Sequence, residues 1–172
     1  DASSAMPREK YADLLEQFLE RLEQDAPPIR GRRRLMLVGS ASDDVELVRL
    51  IEGERALVVA DTICFGSRAQ ANIVEEAGDP IEALSRRYLS LFDCPRMYGR
   101  YEDRLESVAA KACQAKVDGV ILQNIRFCDL HGAENGLLER DLEARGVPCL
   151  RLEREYGQLV ESGRMKMHLH PS

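Results

Sequence analysis

Apolar positions recur along this chain with two different periods, and the alternation between them predicts its elements. Tyr11, Leu14, Leu15, Phe18, Leu19 and Leu22 fall at helical spacing, so an amphipathic helix is expected over residues 7–24. Pro27, Pro28 and Gly31 stop it, and Arg30, Arg32, Arg33 and Arg34 form a solvated basic entrance to a first strand at residues 35–38. Further short runs at 56–60, 119–122 and 148–152 are continuously apolar rather than alternating, as in strands covered on both faces of a parallel sheet. Helical stretches fill the gaps at 43–52, with Ser42 or Asp43 as N-cap, at 102–115, and at 134–144, where Gly146 supplies the stop. Strand and helix in alternation predict an α/β fold: a doubly wound, mostly parallel four-stranded sheet of flavodoxin-like or Rossmann-like type, in the order 2-1-3-4. Residues 61–100 break the rhythm with an irregular stretch at 62–77 and a helix at 80–91 capped by Asp79.

Composition narrows the class. With 172 residues, 44% hydrophobic and 31% charged, the chain can bury a core of its own, so a single α/β domain is expected over 7–165, preceded by a disordered lead or cloning remnant at 1–6 and followed by a tail at 166–172. Thirty acidic residues against twenty-four basic ones leave a net charge of -6, which offers no general attraction to nucleic acid or to a membrane surface. No apolar run is long enough to span a bilayer, and the start lacks the pattern of a secretory signal, so a cytoplasmic location is expected. Five cysteines are an odd number for a disulfide framework, which favours reduced thiols, some of them possible metal ligands.

In open α/β sheets, ligands bind beyond the carboxyl ends of the strands. Four segments are expected there: 39–42, 61–68, 123–131 and 153–158. Ser40 follows the first strand where a phosphate could sit, although the segment has neither the Walker lysine nor a full G-x-G-x-x-G and also reads as a plain turn. Asp61, Cys64 and Arg68 put a carboxylate, a thiol and a guanidinium into one loop, for a substrate or partner, or for an Asp61–Arg68 ion pair that orders it. Gln123 opens the third edge segment, and Cys128 lies in it near the start of the next helix. A helix N-terminus favours a thiolate, which suits a nucleophile, a redox thiol or a ligand to a soft metal or iron-sulfur cluster. Cys113 and Cys149 read as packed thiols, Cys94 as a loop thiol, and His168 and His170 as tail residues rather than a metal pair. No C-x-x-C occurs, so the sequence contains no self-contained zinc or ferredoxin motif.

Several of these pieces stand in a recognisable order: Asp61, Cys64, Gly66, Ser67 and Arg68; Asp79-Pro80 with Arg87-Tyr88-Leu89; Cys94-Pro95-Arg96-Met97; Asp118-Gly119-Val120-Ile121; Phe127-Cys128-Asp129 with His131; and the stretch 148–153. In combination, from about residue 7 to about 165, they resemble the C-terminal domain of the 2-hydroxyacyl-CoA dehydratase and benzoyl-CoA reductase family. The resemblance implies a further α/β domain ahead of this one and a 4Fe-4S cluster between the two, with Cys128 as this domain's ligand and no cluster in the isolated chain, which would be inactive. It also implies a homologous second subunit, an ATP-dependent iron-sulfur activator protein and an acyl-CoA substrate. The chemistry would be either radical elimination of water from a 2-hydroxyacyl-CoA or reductive dearomatisation of benzoyl-CoA; segment 153–157 and the 129–131 variant lean toward the reductase. Ser40, Asp61, Cys64, Arg68 and Gln123 would line the substrate or partner edge, and no catalytic residue is assigned. Relatives usually end in an amphipathic helix where this chain reads Lys166-Met167-His168-Leu169-His170. A non-catalytic assembly or binding module of the same fold is the alternative, with a flavin or nucleotide binder behind it.

Overall fold

The computed structural model describes residues 5–25, 31–53 and 55–155. Backbone contacts divide the chain into two compact units, Asp1–Gly31 and Arg32–Ser172. The first contains helix α1 (Arg8–Asp25), whose apolar stripe at helical spacing is the one the sequence predicts. The second is the α/β unit, with elements β1 (Arg33–Gly39), α2 (Val45–Gly53), β2 (Ala56–Ile63), α3 (Pro80–Leu89), α4 (Tyr101–Gln114), β3 (Gly119–Ile125), α5 (Asp129–Glu143) and β4 (Cys149–Arg154).

All four strands run parallel in the order β2-β1-β3-β4, as expected. Side chains alternate between the two faces of a strand, and each face here has its own core. Met36, Val38, Val120 and Leu122 pack with Leu105, Val108 and Ala112 of α4 and Leu138 and Leu142 of α5. Leu35, Leu37 and Ile121 pack on the other face with Leu47 and Ile51 of α2. Burying each such side chain contributes about 1.5–3 kcal/mol, and both central strands are buried along their apolar runs, which accounts for their unbroken hydrophobic character. Right-handed crossovers explain the division of helices: β1 to β2 moves one way across the sheet, β2 to β3 and β4 the other, so the covering helices change face. The change of direction falls between β1 and β3, the place at whose carboxyl ends open α/β sheets bind ligands.

Several boundaries differ from expectation, and two of the differences move edge residues into the sheet. β2 continues through Ile63 and β3 through Ile125, so Asp61 and Gln123 are strand residues rather than loop residues. Ladder pairing outlasts the apolar run, because Leu37, Val38 and Gly39 of β1 still pair with Asp61, Thr62 and Ile63. Helix α2 starts later than expected, and Asp44, rather than Ser42 or Asp43, caps it, accepting from the Leu47 N–H at 3.0 Å. Asp79 caps α3 as expected, accepting from the Glu82 N–H at 2.9 Å. Helix α5 begins at Asp129, five residues before the expected start at 134. Cys113 is exposed rather than packed: Leu105, Val108 and Ala112 define the inner face of α4, and one further residue turns Cys113 toward solvent. His168, His170 and the expected terminal-helix difference lie outside the described residues.

Candidate functional site at the carboxyl edge of the sheet

The β1–β3 edge is closed by backbone and filled by a polar network. Gly39 has φ +132°, and a Cβ there would overlap the Gln123 carbonyl oxygen, so only glycine permits the two strands this approach. Ser40 is buried; its N–H donates to the Gln123 carbonyl at 3.2 Å, and its Oγ accepts from the Ile125 N–H at 2.8 Å. Gln123 is fully buried, donating from Nε2 to the Ser40 carbonyl and accepting at Oε1 from Arg154. Arg154 also donates to Asp44 at 2.8 Å and to Ser42 Oγ at 3.0 Å. Ser40 and Gln123 thus lie at the predicted edge, with their polar atoms engaged in holding the β1–α2 turn against β3 and β4. Arg154 was not among the expected site residues; a charged residue ending an apolar strand run was the signal available.

At the end of β2, the side chain of Asp61 folds back to organise its own turn. Its Oδ1 accepts from the N–H groups of Ser67 (2.8 Å) and Ile63 (3.3 Å), while Ser67 Oγ and Lys111 Nζ donate to its carbonyl. A Cβ on Gly66 would overlap the Asp61 carboxylate, so this turn needs glycine. Asp61 and Arg68 form no ion pair among the described residues. Arg68 instead donates from Nη2 to Cys64 Sγ at 2.6 Å and from Nη1 to the Asp93 carbonyl at 2.8 Å.

That carbonyl belongs to the irregular segment between α3 and α4, which a second guanidinium holds. Arg104 forms a bidentate pair with Glu134, 2.7 Å at both oxygens, and its Nη1 reaches the carbonyls of Met97 at 2.8 Å and Phe92 at 3.3 Å. Cys94 sits within this clamped segment and accepts from Arg96 Nε at 3.3 Å. Partial burial acts to raise the Cys94 thiol, but the Arg96 N–H and guanidinium outweigh it, and the net shift is downward.

Cys128 occupies the N-cap position of α5, half-buried, with no side-chain cap bond. Its N–H donates to the Ile125 carbonyl at 2.8 Å, and its carbonyl accepts from the Gly132 N–H at 2.9 Å. Phe127, just before it, has φ +69°, a left-handed conformation that is costly for a bulky residue, and is 90% exposed. The tight turn from β3 into α5 therefore sets Cys128 at the end of the helix where the positive dipole lies. One helical turn on, His131 is 4% exposed with neither ring nitrogen hydrogen-bonded. Burial, then the charges of Arg68 and Arg104, push its pKa down to about 4, so the imidazole is neutral at pH 7.

The edge thus holds two arrangements: a polar network that ties β1 to β3 and β4, and the thiols of Cys64 and Cys94 bound by Arg68 and Arg96, with Cys128 following the end of β3. Among the described residues, no three His, Cys, Asp or Glu side chains converge as a complete metal site. No helix among them is long and apolar enough to cross a membrane.

Comparison with known proteins bears on this arrangement. The chain is 24% identical over 149 residues to the (R)-phenyllactyl-CoA dehydratase beta subunit of Clostridium sporogenes, a match covering 86% of this chain and 39% of that protein. It is 19% identical over 155 residues to the lactoyl-CoA dehydratase subunit beta of Anaerotignum propionicum, covering 88% of this chain and 41% of that one. The chain thus spans about two fifths of the length of these curated relatives. The family model described as 2-hydroxyglutaryl-CoA dehydratase, D-component, matches residues 1–169. With its parallel sheet and its match over nearly the whole length, the chain belongs to the D-component family of the 2-hydroxyacyl-CoA dehydratases.

Proposed function

We propose that this chain forms the cluster-facing part of a subunit that eliminates water from a 2-hydroxyacyl-CoA thioester. The observation that carries the reading is Cys128, set at the N-cap of α5 by a strained turn on the ligand-binding edge of the sheet. Its side chain makes no cap bond and, among the described residues, leaves the sulfur free to serve as a metal ligand. Cys128 would supply one ligand to a 4Fe-4S cluster whose remaining ligands come from a further domain. The cluster, when bound, supplies single-electron chemistry at the thioester. This chain's residues contribute position: the Gly39–Gln123 approach and the Arg154 network keep the edge rigid beneath the turn that carries Cys128. The neutral buried His131 places no positive charge of its own beneath that turn.

The dehydratase reading is preferred to the benzoyl-CoA reductase reading because the family description and both relatives above are dehydratases. A partner subunit follows from their beta-subunit names. An ATP-dependent iron-sulfur activator and an acyl-CoA substrate complete the proposal, and the isolated chain is expected to be inactive and free of a cluster. Iron content and visible absorption of a complete subunit test the ligand assignment. Cys128→Ala is expected to abolish both signals, and unchanged iron in that variant would sink the assignment.

A further inference from the structure

A second thiol centre lies on the same edge, built from residues that the cluster reading does not use. Arg68 spans it with one planar fork: Nη2 holds Cys64 Sγ at 2.6 Å, and Nη1 holds the carbonyl of Asp93, the peptide leading into Cys94, at 2.8 Å. Cys94 Sγ in turn accepts from Arg96 Nε at 3.3 Å. The charge of Arg68 also acts on Cys94, in the same direction as that of Arg96. Arg104 anchors the segment through the carbonyls of Phe92 and Met97, so Cys94 is presented by a fixed loop, although residues 91–100 form no helix or strand. Both thiols are half-buried, within reach of a small reagent, whereas Cys149 is pushed up to about 12, chiefly by burial. His131 of α5 is buried and neutral, with both ring nitrogens unpartnered among the described residues, and the charges of Arg68 and Arg104 act on it.

We propose that Cys64 and Cys94 form an arginine-linked dithiol that undergoes reversible exchange with a small-molecule disulfide, with Cys94 as the attacking thiol and Cys64 as the resolving one. The Cys94 thiolate attacks one sulfur of the small disulfide, forming a mixed disulfide and releasing one thiolate. Cys64 then gives its proton to solvent and attacks the Cys94 sulfur, forming the Cys64–Cys94 bond and expelling the second thiolate. The two protein thiols lose two electrons and two protons, and the small disulfide becomes two thiols. Arg96, bonded to the Cys94 sulfur, stabilises the thiolate that opens the exchange. Closing the bond takes Cys64 away from Arg68 Nη2, so oxidation would loosen the hold of Arg68 on the loop.

The test uses the chain itself, reduced and then exposed anaerobically to glutathione disulfide, quenched in acid, alkylated and mapped by mass spectrometry. Arginines between the two cysteines place them on separate tryptic peptides, so a Cys64–Cys94 link is directly visible. The link is expected in the wild-type chain, and Cys64→Ser is expected to trap glutathione on Cys94 instead. Arg96→Gln is expected to slow modification of Cys94 at pH 7 by roughly tenfold and to move the midpoint of its pH–rate profile upward. A wild-type chain that keeps Cys94 unmodified while Cys113 and Cys128 take up glutathione would overturn the proposal. So would stable glutathione on Cys94 with no link to Cys64, or an Arg96→Gln chain whose rate and profile match the wild type.

Discussion

Phe127 precedes Cys128 in the turn from β3 into α5 and His131 follows it in the first turn of the helix, and each carries a cost that an ordinary connection would avoid. Phe127 is left-handed and almost fully solvent-exposed, so its side chain gains little from packing in return for a strained backbone. Phe127→Gly should therefore raise stability by about 1 kcal/mol in urea denaturation of the chain, because glycine adopts this conformation freely. An unchanged or lower stability would mean that the ring has a packing role. His131 is neutral and unpartnered in the folded protein, with its pKa depressed from 6.5 to about 4. As pH falls through the unfolded value, the unfolded chain takes up a proton that the native state refuses, so stability falls between about 6.5 and 4 and levels off below. Over that window the loss amounts to about 3 kcal/mol, and His131→Leu should remove most of it when denaturation midpoints are compared at pH 7 and pH 4. A variant with the same pH slope as wild type would place the acid-sensitive group elsewhere.

At the scale of elements, buried cations decide where the irregular connections lie. Arg104 leaves α4 to meet Glu134 of α5, and the same guanidinium gathers the carbonyls of the segment between α3 and α4. Arg104→Met would strand a buried carboxylate and leave those carbonyls unmet, a loss of about 3–5 kcal/mol expected in chemical denaturation. Adding Glu134→Leu should recover much of it, because a buried ion pair replaced by apolar groups costs little. Equal losses in the single and double variants would show that the carbonyl contacts, rather than the ion pair, hold the segment. Helix α3 depends on a more local device: Asp79→Ala removes its N-cap and should cost about 1 kcal/mol by the same measurement.

For the whole molecule, the decisive contact is Gly39 against the backbone of Gln123, where the sheet changes winding direction. Gly39→Ala forces a Cβ into a carbonyl in a conformation unsuited to L-residues, and a loss of about 3 kcal/mol or more is expected, with much of the protein insoluble on expression. A soluble variant of wild-type stability would mean that β1 and β3 can separate at this end without penalty. The fold and the family were legible together, because both rest on order along the chain: short apolar runs between amphipathic stretches fix the sheet, and motifs such as Phe127-Cys128-Asp129 come in a fixed sequence.

The sequence by itself determined the parallel sheet, its strand order, the Asp79 cap and the placing of Cys128 at the edge, since each follows from local periodicity or from crossover handedness. Tertiary structure alone decided what the edge residues do. Ser40 and Gln123 look like ligand contacts in the sequence, yet their polar atoms are taken up by each other, by the Ile125 N–H and by Arg154. Arg68 looks like the partner of Asp61, yet it bonds Cys64 and the Asp93 carbonyl 25 residues away. Hydrogen-bond partners far apart in the chain meet only once the core has set the strand ends side by side, and no local pattern of residue types encodes which of several acceptors a long, flexible arginine will reach.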